Sequence, residues 1–207
     1  MPSRGWIQAI LAMVAGAIFF LSAVTGDSID QNGLRWLSGV GGAITLVLLA
    51  FEHWLWRVPG IRWICEVCRQ PVIHGTWQGF LDYQDDGAGR PGRVEFYMAI
   101  RQTFSSVSVR CYFPATMAES WSLAASMTKN DHRHDLRYIY QQRAPVPARD
   151  GNRPTEGACE LAVTGRPVRQ IEGSYYSERG GKGTICLTKY SRALAGSLSE
   201  AQELQYA

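Results

Sequence analysis

The chain has 207 residues, 46% of them apolar and 19% charged, which is the composition of a folded protein and not of a disordered or fibrous one. A total of 21 Lys and Arg against 18 Asp and Glu leaves a net charge of +3, too small an excess for electrostatic binding of DNA. The 5 cysteines are an odd number scattered along the chain, which argues against a secreted disulfide scaffold. We therefore expect reduced thiols in a cytoplasm-like compartment and no DNA partner.

Two uncharged apolar segments predict an N-terminal α-helical transmembrane hairpin within residues 1–57. The first, residues 6–25, reaches the length of about 20 residues that spans a bilayer. The second, residues 37–51, reaches that length only when it is extended past Glu52 to Trp56. A signal peptide is the alternative for the first segment, but the apolar run is longer than a signal core and a second segment follows at once.

The flanking charges and the small residues of these segments predict how they are arranged. Basic residues precede the first segment and follow the second, with one arginine in the loop between them, which predicts that both termini are cytoplasmic. Ala12 and Gly16 in the first segment, and Ser38 and Gly42 in the second, have a spacing that allows close helix packing. The packing partners are either the two segments of one chain or several copies of it. Glu52 is expected to be an interfacial anchor at the cytoplasmic end.

Beyond a linker at residues 58–71, the sequence changes to short alternating segments separated by turn residues. Such spacing, without a helical period, predicts an all-β domain at residues 72–190, an eight-stranded antiparallel up-and-down barrel of the lipocalin-like kind. The predicted strands are residues 72–83, 93–102, 105–113, 120–128, 135–142, 157–164, 170–177 and 183–190. A C-terminal tail, residues 191–207, has the apolar spacing of a short amphipathic helix.

Catalytic and metal-binding signatures are missing from the sequence. It contains no nucleophile elbow, no zinc-protease motif and no P-loop. Cys65 and Cys68 form half of a possible zinc site, but no second pair stands at ligand spacing. We therefore predict no enzyme activity, no catalytic residue, no metal and no cofactor.

Alternation places aromatic, hydroxyl and basic side chains on shared strand faces. If these faces point inward, stacking rings, hydroxyls and a guanidinium line the barrel, a combination that suits a nucleobase joined to a phosphate. The other interpretation is that these side chains fill the core or face outward. For Trp77, part of a Gly-X-Trp motif seen at the base of lipocalin-like barrels, core packing is the alternative. The candidate ligand-binding residues are Trp77, Ser120, Ser122, Tyr138, Tyr140, Tyr175, Ser177 and Arg179.

Four short motifs follow the hairpin in a fixed order: GTWQG at 75–79, LRYIY at 136–140 followed by Pro145, GSYYSER at 173–179, and GTICL at 183–187. With this order the chain resembles the CBASS effectors built from two transmembrane helices and a β-strand-rich cytoplasmic barrel. Such effectors are encoded beside a CD-NTase nucleotide cyclase in bacterial antiphage islands. The resemblance covers nearly the whole chain.

The resemblance implies that the barrel binds a cyclic dinucleotide that the partner CD-NTase makes after infection. Binding would drive homo-oligomerisation and disruption of the bacterial inner membrane, in which the chain would be a multi-pass protein with both termini cytoplasmic. No reaction would be catalysed. The sequence departs from the family's pattern at Ser177, where Thr is expected, and at Gln142, where Asn is expected. Both keep a hydrogen-bonding group, so the departures bear on which ligand binds.

Two other classes of protein remain open on the sequence. A membrane-tethered lipocalin-like carrier of an apolar small ligand would have an interior of Val94, Phe96, Met98 and Ile100 without a buried arginine. An assembly protein would use the barrel to bind a protein partner. The position of Arg179 and of the tyrosine rings distinguishes the first of these classes from the receptor.

Overall fold

The structure, a computed structural model, describes residue 16 and residues 31–60, 70–84, 91–130, 133–145, 154–165 and 167–207. These residues divide into two compact units. One contains residues 31–60 and the short segment Thr103–Ser105, and the other contains the remaining residues from 70 onward.

The first unit contains helix α1, Gln31–His53, followed by a single 3-10 turn, Leu55–Arg57. Helix α1 includes the second predicted apolar segment, whereas the first segment lies outside the described residues except for Gly16. Large apolar side chains of α1, among them Leu46 and Val47, are exposed. A search of the described residues finds no helix with the length and apolar character needed to cross a membrane.

The second unit is a closed barrel of eight antiparallel strands in sequential order, which confirms the predicted up-and-down topology. The strands are β1 Gly75–Tyr83, β2 Gly92–Gln102, β3 Val107–Phe113, β4 Ala118–Asn130, β5 Arg133–Arg143, β6 Thr155–Thr164, β7 Gln170–Ser177 and β8 Lys182–Ser191.

The first strand begins three residues later than predicted, because the chain before Gly75 is held by a side chain and not by a strand ladder. The buried Gln102 accepts a hydrogen bond from the Ile73 backbone N–H at 2.8 Å and donates one to the Pro71 carbonyl at 2.9 Å. The amide of Gln102 therefore takes the place of a neighbouring strand for this segment.

The two ends of the barrel differ in what they contain. We call the end where β1, β3, β5 and β7 finish the mouth, and the opposite end the base. Alternate residues of each strand point inward and form one continuous apolar core, which contains Phe96, Met98, Ile100, Leu136, Leu161, Ile171 and Leu187. Tyr138, Tyr140 and Tyr175 belong to the same interior, with Tyr138 midway along β5 and Tyr140 and Tyr175 nearer the mouth.

The tail packs on the outside of the barrel. Helix α2, Leu198–Glu203, begins at Ser197, whose hydroxyl accepts a hydrogen bond from the Glu200 N–H. Ala201 is fully buried in a second apolar cluster, which joins the tail to the outer faces of β2 and β3 at Tyr97 and Tyr112. Residues 96–100 of β2 are therefore buried on both faces of the sheet.

Candidate functional site

All three candidate tyrosines line the barrel interior. Tyr138 and Tyr140 project inward from β5 and are 5% and 7% exposed, with ring centroids 6.2 Å apart. Tyr175 projects inward from β7 and is half-buried. The structure therefore answers which faces of these two strands point inward, and it brings these rings into one interior.

Tyr138 is the deepest of the three and lies between two buried thiols. Its hydroxyl is 4.0 Å from Cys111 Sγ, and Cys159 faces Tyr138 across the β5–β6 ladder. Burial raises the pKa of Cys111 to about 11 and that of Cys159 to about 12, and it raises the pKa of the Tyr138 phenol well above its usual value. All three groups stay neutral at physiological pH, so they offer weak hydrogen-bond donors and no charge.

Tyr140 and Tyr175 pack close to the barrel wall, because the residue opposite each is glycine. Gly157 faces Tyr140, and a Cβ on Gly157 would come within 2.6 Å of the Tyr140 ring. Gly183 faces Tyr175, and a Cβ there would come within 2.8 Å of Tyr175 Cε1. Burial raises the pKa of Tyr175 to about 12, so its hydroxyl is also a neutral donor. Each ring therefore packs close to the backbone of the facing glycine.

The candidate serines share the same half of the barrel. Ser120 is buried on β4 opposite Cys111. The Ser122 hydroxyl, further along β4, accepts a hydrogen bond from the Val109 N–H at 2.9 Å. Ser177 ends β7 at the mouth, and its hydroxyl donates to the Gly181 carbonyl at 3.3 Å. The contacts described for the Ser122 and Ser177 hydroxyls are to the backbone.

Arg179 lies at the mouth, in the turn between β7 and β8 and beside Gly180 and Gly181. Its side chain is exposed and donates a hydrogen bond from Nη2 to the Pro154 carbonyl at 3.4 Å. The guanidinium is thus at the rim and not in the interior. Among the described residues, the buried polar and charged side chains include no arginine.

Trp77 is separated from the tyrosines and lies near the base. Its indole Nε1 donates to the Ile73 carbonyl at 3.0 Å, and its ring centroid is 4.7 Å from that of Tyr190. The side chain is 1% exposed and belongs to the apolar core. This is the geometry of a core residue, so the structure does not bring Trp77 to the candidate ligand site.

Tyr83 was not among the candidate residues, yet it is the last residue of β1 at the mouth. It faces Gly92 on one neighbouring strand and Gly183 on the other. It also borders an open cleft of about 500 Å³, lined by Asp82, Tyr83, Gln84, Pro91, Gly92, Arg93, Gly183 and Thr184. The sequence signal for this residue was the pair of glycines in the facing strands.

Glu52 is buried at the end of α1, where its side chain is hydrogen-bonded. It is 8% exposed, and its Oε1 accepts hydrogen bonds at 2.6 Å from the hydroxyls of Thr103 and Ser105. The Glu52 carbonyl accepts a third bond, from the Phe104 N–H at 2.9 Å. The carboxylate therefore fixes the segment Thr103–Ser105 to the end of α1.

The small residues of the predicted hairpin are only partly covered by the structure. Ala12 and the Ser38 side chain lie outside the described residues, as do Cys65 and Cys68. Gly16 and Gly42 are helical and exposed, and a Cβ built on either meets no atom within 4 Å beyond its chain neighbours and the backbone of its own helix. The described residues contain no group of three or more His, Cys, Asp or Glu side chains placed to hold a metal ion.

Comparison with known proteins identifies the domain. No curated protein matches the chain. A family model described as "Cap15, cyclic dinucleotide receptor domain" matches residues 68–189, which is more than half of the chain and includes all eight strands except the last two residues of β8. The match confirms the resemblance to CBASS effectors stated above, and the chain belongs to the family of the Cap15 cyclic dinucleotide receptor domain.

Proposed function

We propose that this protein is a CBASS effector in which a cyclic dinucleotide bound at the barrel mouth drives self-assembly in the bacterial inner membrane and breaches it. The observation that carries the proposal is the placement of Tyr140 and Tyr175. In a domain of this receptor family, both rings line the same interior, and the Tyr175 ring is half-buried. Planar bases stack on aromatic rings of this kind.

Recognition of the ligand divides between the interior and the rim. Neutral phenols and the Ser120 hydroxyl offer hydrogen bonds in a region that has no buried arginine among the described residues. The exposed Arg179 offers a guanidinium at the rim, where a phosphate keeps part of its hydration. We therefore place the bases inward and the phosphates outward.

Binding is tested first by calorimetry on the full chain in mild detergent with a panel of cyclic dinucleotides. Arg179→Ala should weaken binding by about 1.5–3 kcal/mol, which is roughly 10- to 150-fold, because it removes a charge-assisted hydrogen bond. Arg137→Ala is the matched control, since Arg137 is paired to Glu160 on the outer face of β5 and should leave the affinity unchanged. Equal affinities for both variants and the unmodified chain would remove Arg179 from the site.

The membrane part of the proposal is supported by the uncharged segment at residues 6–25 and by exposed apolar side chains on α1. A ligand changes assembly only by binding the assembled state more tightly than the monomer. Ligand at the barrel and association of the N-terminal segments should therefore both be required for toxicity.

This coupling is tested with a Gly16→Leu, Gly42→Leu double variant co-expressed with the matching cyclase. Leucine at these open positions blocks close helix approach, so ligand binding should persist while cross-linking and depolarisation of the membrane are lost. Ala43→Leu adds bulk at the neighbouring exposed position and should remain toxic. Depolarisation by a double variant that stays monomeric would contradict assembly as the trigger.

One observation favours the alternative of a carrier for an apolar ligand. Phe96, Met98 and Ile100 are buried inside the barrel, as that alternative predicted, and Arg179 is not. Displacement of a fluorescent fatty acid by unlabelled fatty acid, without competition from any cyclic dinucleotide, would favour the carrier over the receptor.

A further inference from the structure

The tyrosines of the mouth alternate with glycines around most of the barrel. Across six consecutive strands the inward positions are Tyr140 on β5, Gly157 on β6, Tyr175 on β7, Gly183 on β8, Tyr83 on β1 and Gly92 on β2. Four of the pairs face each other directly: Tyr140 with Gly157, Tyr175 with Gly183, Gly183 with Tyr83, and Tyr83 with Gly92. The pattern continues past the candidate residues to Tyr83.

The glycines set the position of the rings. A Cβ on Gly92 would lie 2.4 Å from Tyr83 Cζ and 2.8 Å from its Cε2, so the Tyr83 ring crosses onto β2 and covers the glycine backbone. A side chain opposite any of these tyrosines would push the ring away from the wall. The glycines therefore allow these rings to pack close to the strand backbone.

The surface at Tyr83 opens into the cleft of about 500 Å³, a volume typical of small-molecule sites. Arg93 stands at this cleft in a fixed orientation. Its Nε and Nη2 donate to the two carboxylate oxygens of Asp82 at 2.5 and 2.9 Å, and its guanidinium carbon lies 5.4 Å from the centre of the Phe80 ring. These bonds to Asp82 use two of the five N–H donors of Arg93 and leave both on Nη1 and the second on Nη2.

From this geometry we propose that Tyr83 and the adjoining cleft are a second base-binding position, which takes one nucleotide half of the ligand while Tyr140 and Tyr175 take the other. This inference rests on the proposed function. A base stacks on Tyr83 above Gly92, and its phosphate lies towards Arg93 Nη1 at the rim. A ligand with two bases then uses both ends of the aromatic arc, and a mononucleotide uses only one.

The test uses the full chain in mild detergent and the cyclic dinucleotide that binds it most tightly in calorimetry. Tyr83→Ala should weaken binding about 5- to 150-fold, the range for loss of one stacked base. Tyr83→Trp keeps an aromatic face and should stay within about threefold of the unmodified chain. Tyr176→Ala removes an outward, exposed ring from β7 and should change nothing.

Gly92→Ala gives an independent readout. The nearest atoms to its added methyl group all belong to the Tyr83 side chain, which can move, whereas at Gly157 and Gly183 the nearest atom is a backbone carbonyl oxygen. The Gly92→Ala chain should therefore fold but hold the Tyr83 ring away from the wall, and it should bind more weakly. In a Tyr83→Ala background the same substitution should have no further effect.

The outcomes separate this position from the proposed function. Binding that requires Tyr175 but is unchanged in a folded Tyr83→Ala chain overturns the second position alone. The second position is also overturned if the affinity losses of Tyr83→Ala and Gly92→Ala multiply in the double variant, because Gly92 then acts independently of Tyr83. Absence of binding to every cyclic dinucleotide by the unmodified chain overturns the proposed function and this inference together.

Discussion

Replacing Tyr175 tests whether an aromatic face inside the barrel binds the ligand. Its ring lies beside Gly183, and the half-buried side chain lines the interior. Tyr175→Ala removes the stacking surface, so affinity for a cyclic dinucleotide should fall by about 1–3 kcal/mol, or roughly 5- to 150-fold. Tyr175→Phe keeps the ring and loses a neutral hydroxyl, at a cost of about 0.5–1.5 kcal/mol.

The same substitution has a cost in stability that must be measured separately. Loss of about 100 Å² of buried ring surface at ~25 cal/mol per Å² lowers the free energy of unfolding by about 2.5 kcal/mol. Calorimetry is therefore done at a temperature where unliganded Tyr175→Ala is folded, as judged by circular dichroism. Tyr176→Ala, on the outer face of the same strand, is the control. A folded Tyr175→Ala chain with unchanged affinity would refute the assignment of Tyr175 to the ligand site. Equal losses of affinity in Tyr175→Phe and Tyr175→Ala would show that the hydroxyl, and not the ring, binds the ligand.

Three further predictions concern the fold around the site. Trp77→Phe should lower the free energy of unfolding by about 2 kcal/mol, because it removes the indole hydrogen bond to the Ile73 carbonyl and opens a small cavity. Ligand affinity should stay the same. A loss of affinity without a loss of stability would show that Trp77 contacts the ligand. Burial raises the thiol pKa of Cys111 to about 11 and that of Cys159 to about 12, so above pH ~9 the folded chain binds more protons than the unfolded chain. The free energy of unfolding should therefore fall as the pH rises towards 11. Urea unfolding at several pH values measures how steeply the free energy of unfolding falls with pH, and this dependence should be weaker by about 1.4 kcal/mol per pH unit in Cys159→Ala. An unchanged dependence would contradict the raised pKa of the buried Cys159 thiol. Ala201→Asp places a charge in the buried cluster and should release the tail from β2 and β3. Proteolysis after residue 191 should become faster while the barrel stays intact. An unchanged rate of proteolysis would contradict the packing of the tail on the barrel.

The strands could be predicted because their alternation is local and their turns are marked by Gly, Asn, Asp and Pro. Alternation also places Tyr138 and Tyr140 on one face, and Tyr175 and Ser177 on one face, as the structure has them. It does not give the height of a residue in the barrel, which depends on the stagger between strands. For this reason alternation alone does not separate Trp77, near the base, from candidate ligand-binding residues nearer the mouth.

The remaining differences come from interactions between residues that are distant in sequence. Arg179 follows the last residue of β7, so strand alternation does not determine where its side chain points. Tyr83 became a site residue only through its facing glycines on β2 and β8. The bonds from Glu52 to the segment Thr103–Ser105 join residues about 50 positions apart, which no local pattern indicates.

Equilibrium binding of cyclic dinucleotides to the unmodified full chain tests the central claim most directly. Isothermal calorimetry across a panel, with mononucleotides and a linear dinucleotide as controls, measures the affinity without any assumption about the membrane. We expect one cyclic dinucleotide to bind with a defined stoichiometry and to raise the melting temperature of the chain, while the controls bind at least tenfold more weakly. Binding of no cyclic dinucleotide, or equal binding of the mononucleotides, would contradict the account.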